Sequence, residues 1–195
     1  MKRVAVTGGI GSGKSTFCAL LSELSGAPVY DSDQRAKELM NTHPRIVADI
    51  KDIFGSEAYT AEGVLNRAHI SAIAFADKQM LARLNEAVHP RVVADFEEWA
   101  EEQQSPYVIL ESALLFTSPL TGHYDLSVVV DAPLEVRVER AVRRDGASRE
   151  QIVARMNNQM SPAEMSRLAD HTVLADGVES LRRQAAEIDA IVRKM

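Results

Sequence analysis

The sequence predicts an α/β fold, a five-stranded parallel sheet flanked by helices, and three observations predict it. Short continuous apolar runs of strand length recur along the chain, segments with helical spacing separate them, and a glycine-rich turn joins the first run to the first helical segment. Continuous apolar runs, unlike alternating ones, suit strands covered on both faces, as in a parallel sheet with crossover helices above and below.

The first run, residues 2–7 (KRVAVT), carries β-branched residues and ends in glycines, which suits a buried strand. Residues 15–24 then place Phe17, Leu20, Leu21 and Leu24 on one side of a helix. A second short strand is expected at residues 27–30, with a helix over about 32–40. Residues 107–110 (YVIL) and 126–130 (LSVVV) supply the third and fourth strands. A weaker fifth at 172–174 precedes a helix over about 178–192. The stretch between about 41 and 104 is longer than a normal crossover. It reads as mostly helical, broken by Pro44, by Gly55 and Gly63, and by the His89-Pro90 pair. It is expected to be a helical insertion covering a substrate site. Residues from about 133 to 169 are also helical and rich in arginine. No repeat, low-complexity tract or linker divides the chain, so one domain is expected. Its core takes about 1–32, 105–133 and 170–195, its helical insertion about 33–104 and its lid about 134–169.

Composition narrows the function. The chain has 195 residues, 46% of them hydrophobic, enough for one substantial core. A net charge of -6 argues against a general nucleic-acid binder, which would carry a basic face. An anionic ligand remains possible, because backbone N–H groups and a few cations make a phosphate site locally. Cys18 is the only cysteine, which rules out an intrachain disulfide. The opening MKRVAVTGGIGSGKST has no long apolar stretch before its glycines, as a secretory signal would. No run approaches the ~18 apolar residues of a membrane span. The expectation is a cytoplasmic enzyme with no membrane or nucleic-acid partner and no evident obligate protein partner.

The strongest local signal is Gly8-Gly9-Ile10-Gly11-Ser12-Gly13-Lys14-Ser15, a complete G-x-x-x-x-G-K-[ST] between a predicted strand and a predicted helix. Glycines let the backbone wrap closely around a phosphate with its N–H groups inward. The helix beginning near Gly13 adds its positive end, and Lys14 adds a full charge over the transferred phosphate. Ser15 offers a hydroxyl to Mg²⁺, and Thr16, in the first helical turn, is placed to reach a more distant phosphate. A merely flexible turn would not need agreement at eight positions and in both flanking elements. Gly8, Gly11, Ser12, Gly13, Lys14, Ser15 and Thr16 are therefore expected to bind the nucleotide. A guanine-specific Asn-Lys-x-Asp segment is absent. So is a pair of acids after an apolar strand: Leu110 is followed by Glu111-Ser112 and Val130 by Asp131-Ala132. Both absences favour a kinase over a GTPase or a mechanical ATPase.

Phosphoryl transfer to a hydroxyl needs an acid to orient the nucleophile and take its proton. Asp31-Ser32-Asp33 follows the second strand at the carboxyl edge of the sheet, where open α/β folds place ligands. Asp31, with Gln34 three residues on, also resembles a capping box. Asp33 would sit in the first helical turn, where the helix dipole keeps it ionised. It is the favoured catalytic acid. Arg137, Arg140, Arg143 and Arg144 follow the fourth strand, with Arg149 and Arg155 beyond. Arginines so spaced can clamp phosphates as a closing lid does, or pair along a solvated helix with Glu135, Glu139 and Asp145. For His89, proline geometry favours a structural break, the alternative being a hydrogen bond to a substrate phosphate. His43, His69, His123 and His171 show no metal-ligand spacing.

Read together, these segments resemble the dephospho-coenzyme A kinase family almost end to end. The match begins with Val6 to Thr16 around the glycine loop and continues through Val29-Tyr30-Asp31-Ser32-Asp33, Phe54-Gly55 and Gly63…Leu65-Asn66-Arg67. His89-Pro90, Leu114-Leu115-Phe116, the arginine region and Arg155…Gln159 complete it. The resemblance implies a P-loop kinase like the nucleoside monophosphate kinases, with a helical coenzyme A-binding insertion and an arginine-bearing lid. It implies ATP with Mg²⁺, and transfer of the γ-phosphoryl group to the ribose 3′-hydroxyl of dephospho-coenzyme A, the last step of coenzyme A biosynthesis. By position it makes Asp33 the catalytic carboxylate, His89 a substrate-side histidine and Arg140 a nucleotide and lid arginine, with Lys14 at the transferred phosphate. Two segments depart from the family pattern. Ala113 stands where a proline often precedes the paired leucines, and Leu174-Ala175-Asp176-Gly177 lacks the usual asparagine in a loop expected near the adenine. The nearest rivals are a kinase for a smaller hydroxyl acceptor and a nucleotide-dependent switch. The long insertion argues against the first.

Overall fold

A computed structural model describes the backbone of residues 1–195 and every side chain except those of Phe75 and Glu179. The chain forms two compact units, residues 1–31 with 100–195, and residues 32–99.

The first unit is built on a five-stranded sheet, β1 (Lys2–Thr7), β2 (Val29–Asp31), β3 (Tyr107–Glu111), β4 (Leu126–Asp131) and β5 (His171–Leu174). The strands lie in the order β2-β3-β1-β4-β5, every pairing parallel, with Val4 opposite Ile109 and Val6 opposite Val128. Helix α1 (Lys14–Ser25) returns from β1 and packs beside the last helix, given below, where Phe17 and Leu21 meet Leu181, Ala185 and Ile188. Val4 and Val6 join that cluster, and Ala5, between them, is equally sealed from solvent. Burial on both faces is why the strand reads as one apolar run and not as an alternation.

The predicted second strand begins two residues late. Pro28 has no N–H for a ladder, so it stays outside the strand, and its carbonyl accepts from Ile109 N at 2.9 Å. The register of the outer pair is fixed by a side-chain clip. Asp170 Oδ2 accepts from Ser127 N at 2.8 Å and from Ser127 Oγ at 2.6 Å, while Asp170 N donates back to that hydroxyl at 3.0 Å.

The second unit holds α2 (Ser32–Thr42), α3 (Pro44–Phe54), α4 (Arg67–Ala76) and most of α5 (Lys78–Glu101). Pro44 opens α3 at the position where its missing N–H costs nothing, and Ile46, Ile50 and Phe54 recur at a spacing of four on the buried face. Arg35 of α2 makes a two-pronged bond to Asp95 of α5, both contacts at 2.8 Å. Arg91 of α5 pairs with Asp49 of α3 at 3.0 Å.

One expectation is overturned. His89-Pro90 does not break the chain's helical course, since α5 runs through it for 24 residues with Pro90 inside. Proline removes the N–H that would bond the carbonyl of residue 86. Arg91 supplies a donor one residue on, Nη1 to the Ala87 carbonyl at 2.7 Å. Buried Val88, Val92 and Phe96 anchor the helix on both sides of the proline. Packing outweighs the local penalty.

Back in the first unit, helices α6 (Leu134–Asp145), α7 (Arg149–Asn157) and α8 (Pro162–Leu168) follow β4, and α9 (Val178–Val192) closes the chain. Among the described residues, no helix is long and apolar enough to cross a membrane.

The Ser127–Asp170 clip yields a signed pH prediction. Its hydrogen bonds hold the Asp170 carboxyl below the usual 3.8. A carboxylate favoured in the folded state stabilises above its unfolded pKa, and that contribution fades as pH falls through the folded value. Asp170→Ala should cost about 1 kcal/mol at neutral pH, a figure kept small by its exposure. Thermal melts of both proteins should converge in acid. A gap that stays constant down to the acid limit would show the clip to be electrostatically inert.

Candidate active site

The glycine loop occupies residues 8–13, between β1 and α1, so the N-terminus of a twelve-residue helix opens onto the carboxyl edge of the sheet. Its shape is imposed by what lies against it. Gly11 has φ 74, a left-handed backbone, and a Cβ there would strike the backbone of Arg137. A Cβ on Gly9 would collide with the Arg137 guanidinium. Helix α6 thus rests directly on the loop.

Arg137 is 5% exposed and donates Nε to the Ile10 carbonyl at 3.1 Å. Burial lowers the pKa of its guanidinium, an effect that Asp131 opposes with Oδ1 4.0 Å from Nη1. From the far end of the α7 region, Gln159 Oε1 accepts from Ile10 N at 2.9 Å. Both polar groups of Ile10 are therefore held from outside the loop. Ser12 Oγ is the described side-chain atom that is buried without a hydrogen-bond partner.

A cavity of about 530 Å³ opens in front of this loop, lined by Gly11 to Thr16 and by Arg140, Arg143 and Arg144 of α6. Arg140 spans its edge, donating Nη1 to the Ser12 carbonyl at 3.3 Å and Nη2 to the Ala175 carbonyl at 3.0 Å. Arg144 is partly neutralised by Asp145 at 2.6 Å, and Asp145 also takes Arg155 at 2.8 Å. Lys14 and Arg143 form no ion pair among the described residues. Four cations and a helix N-terminus make this a site for a polyanion, although the chain as a whole is acidic.

At the cavity margin Ser15 Oγ donates to Glu111 Oε1 at 2.7 Å. Glu111 is the last residue of β3 and only 7% exposed. Beneath it the Cys18 thiol is pushed well up, first by burial and then by Glu111. A hydroxyl and a carboxylate this close form a pair of hard oxygen donors, the kind Mg²⁺ accepts while keeping several waters.

The structure therefore gathers Gly11 to Thr16 and Arg140 at one cavity, while Gly8 is not on its lining. Asp33 and His89 belong to the second unit, Asp33 in the first turn of α2 and His89 within α5, and neither lines this cavity. Burial lowers the His89 pKa, which keeps the imidazole neutral. Sequence reasoning gave Glu111 no role and named Arg137 only within the arginine set and Gln159 only within a family segment. Glu111 had a signal: it is a lone carboxylate closing a strand otherwise wholly apolar. Arg137 had none, because only packing distinguishes it from its neighbouring arginines.

A cradle of this kind on a parallel sheet holds the nucleoside triphosphate in P-loop phosphotransferases, and comparison with known proteins narrows the class. The model of the dephospho-CoA kinase family matches residues 2–180. The dephospho-CoA kinase of Bacteroides fragilis is 40% identical over 191 residues, covering 97% of this chain and 92% of its own length. The crystal structure of the Thermus thermophilus protein TT1252 superposes with a TM-score of 0.86 at 32% identity, over 100% of this chain and 97% of that one. A dephospho-CoA kinase from Campylobacter jejuni shares the fold, with a TM-score of 0.71 at 23% identity over 100% and 98%. The chain belongs to the dephospho-CoA kinase family, and membership of a kinase family makes ATP its phosphoryl donor.

The contact of α6 with the loop can be tested at Gly11. Gly11→Ala combines a strained backbone, costing about 1–3 kcal/mol, with a collision against Arg137. The sheet should survive by circular dichroism, with ATP affinity down at least about tenfold by calorimetry. Unchanged affinity would mean that the loop tolerates displacement from α6.

Proposed function

We propose that this chain transfers the γ-phosphoryl group of ATP to the ribose 3′-hydroxyl of dephospho-coenzyme A, giving coenzyme A and ADP. The observation that carries this reading is the family match over residues 2–180, which takes in the glycine loop and the arginine helix around it. The donor's phosphates fit the cation-lined cavity, with Lys14 over the group that moves and Arg140 at the edge it shares with Ala175. The loop supplies backbone N–H groups that need no reorientation during transfer, which is where most of the catalytic stabilisation of such sites arises.

Ser15 and Glu111 are the residues that would hold Mg²⁺, one by its hydroxyl and the other through the carboxylate bonded to it. When bound, the ion neutralises charge on the transferring phosphates. In the transfer itself, a bond forms between the acceptor oxygen and the γ-phosphorus while the bridging bond to the β-phosphate breaks, its electron pair leaving with ADP. The hydroxyl proton passes to Asp33. Asp33 lies in the first turn of α2, which favours its ionised, accepting form. His89, neutral through burial, donates its ring N–H to the acceptor's phosphates without adding charge. Residues 33–104 are assigned to the coenzyme A moiety, and residues 134–169 to a lid whose arginines screen the phosphates.

ADP release is measured in a coupled assay with ATP and Mg²⁺, offering dephospho-coenzyme A beside nucleosides and small hydroxy acids. Turnover should be confined to dephospho-coenzyme A, with mass detection of the 3′-phosphorylated product. Turnover only with another acceptor would keep the kinase and discard the substrate. Asp33→Asn should lower kcat by about 10²–10⁴ while ATP still binds; undiminished turnover would remove Asp33 from its role. Lys14→Ala should lower kcat/KM by about 10²–10³ with the thermal transition intact. Loss of that transition would make Lys14 structural.

A further inference from the structure

The donor cavity is lined by two kinds of surface: the glycine loop with the opening turn of α1, and the arginines of α6. Its margin is closed by the residues after β5, where a Cβ on Gly13 would come within 3.3 Å of the Ala175 Cβ and Arg140 bonds the Ala175 carbonyl. With its phosphates on the loop, a nucleoside triphosphate extends its base toward this margin. We infer that the site holds the base by its flat face and does not select adenine, so that GTP serves as phosphoryl donor as well as ATP does. This extends the dephospho-coenzyme A reading above, on which it rests, from the acceptor to the donor.

Telling the two purines apart requires a particular kind of group. Adenine and guanine share an acceptor at N7, and they differ at carbon 6, where adenine carries an amino donor and guanine a carbonyl acceptor. A site that prefers adenine therefore sets a hydrogen-bond acceptor against that amino group. Lysine and arginine have only donors to offer, and Lys14, Arg140, Arg143 and Arg144 are the charged side chains on the lining. Three hydroxyls line the cavity as well. Ser15 is engaged with Glu111, Ser12 Oγ is buried, and Thr16 stands in the opening turn of α1, where the phosphates bind.

The acceptors at the margin are already engaged inside the protein. Leu174 donates its N–H to Gln184 Oε1, and its carbonyl accepts from Gln184 Nε2, both at 2.9 Å. Ala175 donates its N–H to the Asp131 carbonyl at 2.7 Å, and its own carbonyl accepts from Arg140 Nη2 at 3.0 Å. The Ser12 carbonyl takes Arg140 Nη1 at 3.3 Å. Both carboxylate oxygens of Asp145, next to Arg144 in sequence, are held by Arg144 and Arg155. All four backbone polar groups of residues 174 and 175 thus serve to hold the margin in place.

The same bonds prepare a platform. The two Nη atoms of Arg140 are tied to carbonyls of two separate segments, the loop before α1 and the residues after β5, which fixes the plane of the guanidinium. A guanidinium plane stacks on an aromatic ring. Stacking is tolerant of base identity, because every base has a π-face. The N–H groups that Arg140 keeps, and those of Arg143, can meet N7, the acceptor that both purines present. Face and donors together bind a purine firmly and leave its identity unread.

The test is initial-rate kinetics on the full-length chain with dephospho-coenzyme A, Mg²⁺ and, in turn, ATP, GTP and inorganic tripolyphosphate. A site that hydrogen-bonds the edge of its ligand rejects an analogue lacking that edge by about 10⁴-fold. Here kcat/KM for GTP should lie within about tenfold of that for ATP. Tripolyphosphate, which has no base to stack, should lie at least about tenfold below both. Arg140→Lys keeps the charge and removes the plane, so it should lower kcat/KM for ATP and GTP together, about tenfold, with their ratio unchanged within about twofold. Asp176→Ala, at the exposed residue that follows Ala175, should also leave the ratio within about twofold. A preference for ATP above about tenfold in wild type overturns the inference without recourse to any variant. So does a ratio moved more than about twofold by either substitution, or tripolyphosphate working as well as ATP. Absence of ATP-dependent turnover of dephospho-coenzyme A in wild type is seen separately and would remove the reading on which the inference rests.

Discussion

Helix α6 lies in direct contact with the P-loop, and most of what the first unit can do follows from that contact. The carbonyl region of Arg137 fills the space where Gly11 would carry a side chain, and its guanidinium fills the space above Gly9. A loop of six residues with three positive-φ glycines would otherwise be free to sample many shapes. Here it is pressed from one side, and Ile10 is held at both its carbonyl and its N–H, by Arg137 and Gln159. The ordering cost is met during folding, before any ligand arrives. Preorganised N–H groups are the part of such a site that contributes most to transfer.

The same contact arranges the charges. Because Arg137 faces the loop from α6, Arg140 three residues on reaches the Ser12 carbonyl, and Arg143 and Arg144 come to the cavity from the following turn. A chain of net charge -6 thereby concentrates cations at one place, which global charge could not reveal. Asp145 moderates this, since it is shared between Arg144 and Arg155. Glu111 has the opposite task. Its carboxylate is kept on Ser15, a residue of the cavity lining.

These relations show which features were readable from sequence. The P-loop was, because its information is local: glycines, lysine and serine at fixed offsets between a strand and a helix. The strands β1, β3 and β4 were, because burial on both faces leaves an apolar run that no helix of that length would need, while the half-exposed edge strands β2 and β5 gave a weaker signal. His89-Pro90 was misread, since a proline's local penalty is visible while the packing of Val88, Val92 and Phe96 is not. Arg137 and Glu111 act across 127 and 96 residues of sequence, on Ile10 and Ser15 respectively. No spacing rule links residues brought together by strand order.

Strand order also governs how two substrates can share one loop. With β1 in the middle of β2-β3-β1-β4-β5, the loop that leaves it has a neighbour on each side. The helix after β4 brings arginines, and the turn after β3 brings Leu114 and Phe116. One flank is cationic and suits phosphates; the other is largely apolar. In-line transfer needs its two oxygens on opposite sides of a single phosphorus, so a site with identical flanks would bind either substrate in either orientation. Charge and polarity therefore differ across β1. That difference follows from which crossover lands on which edge of the sheet, and not from the loop residues alone.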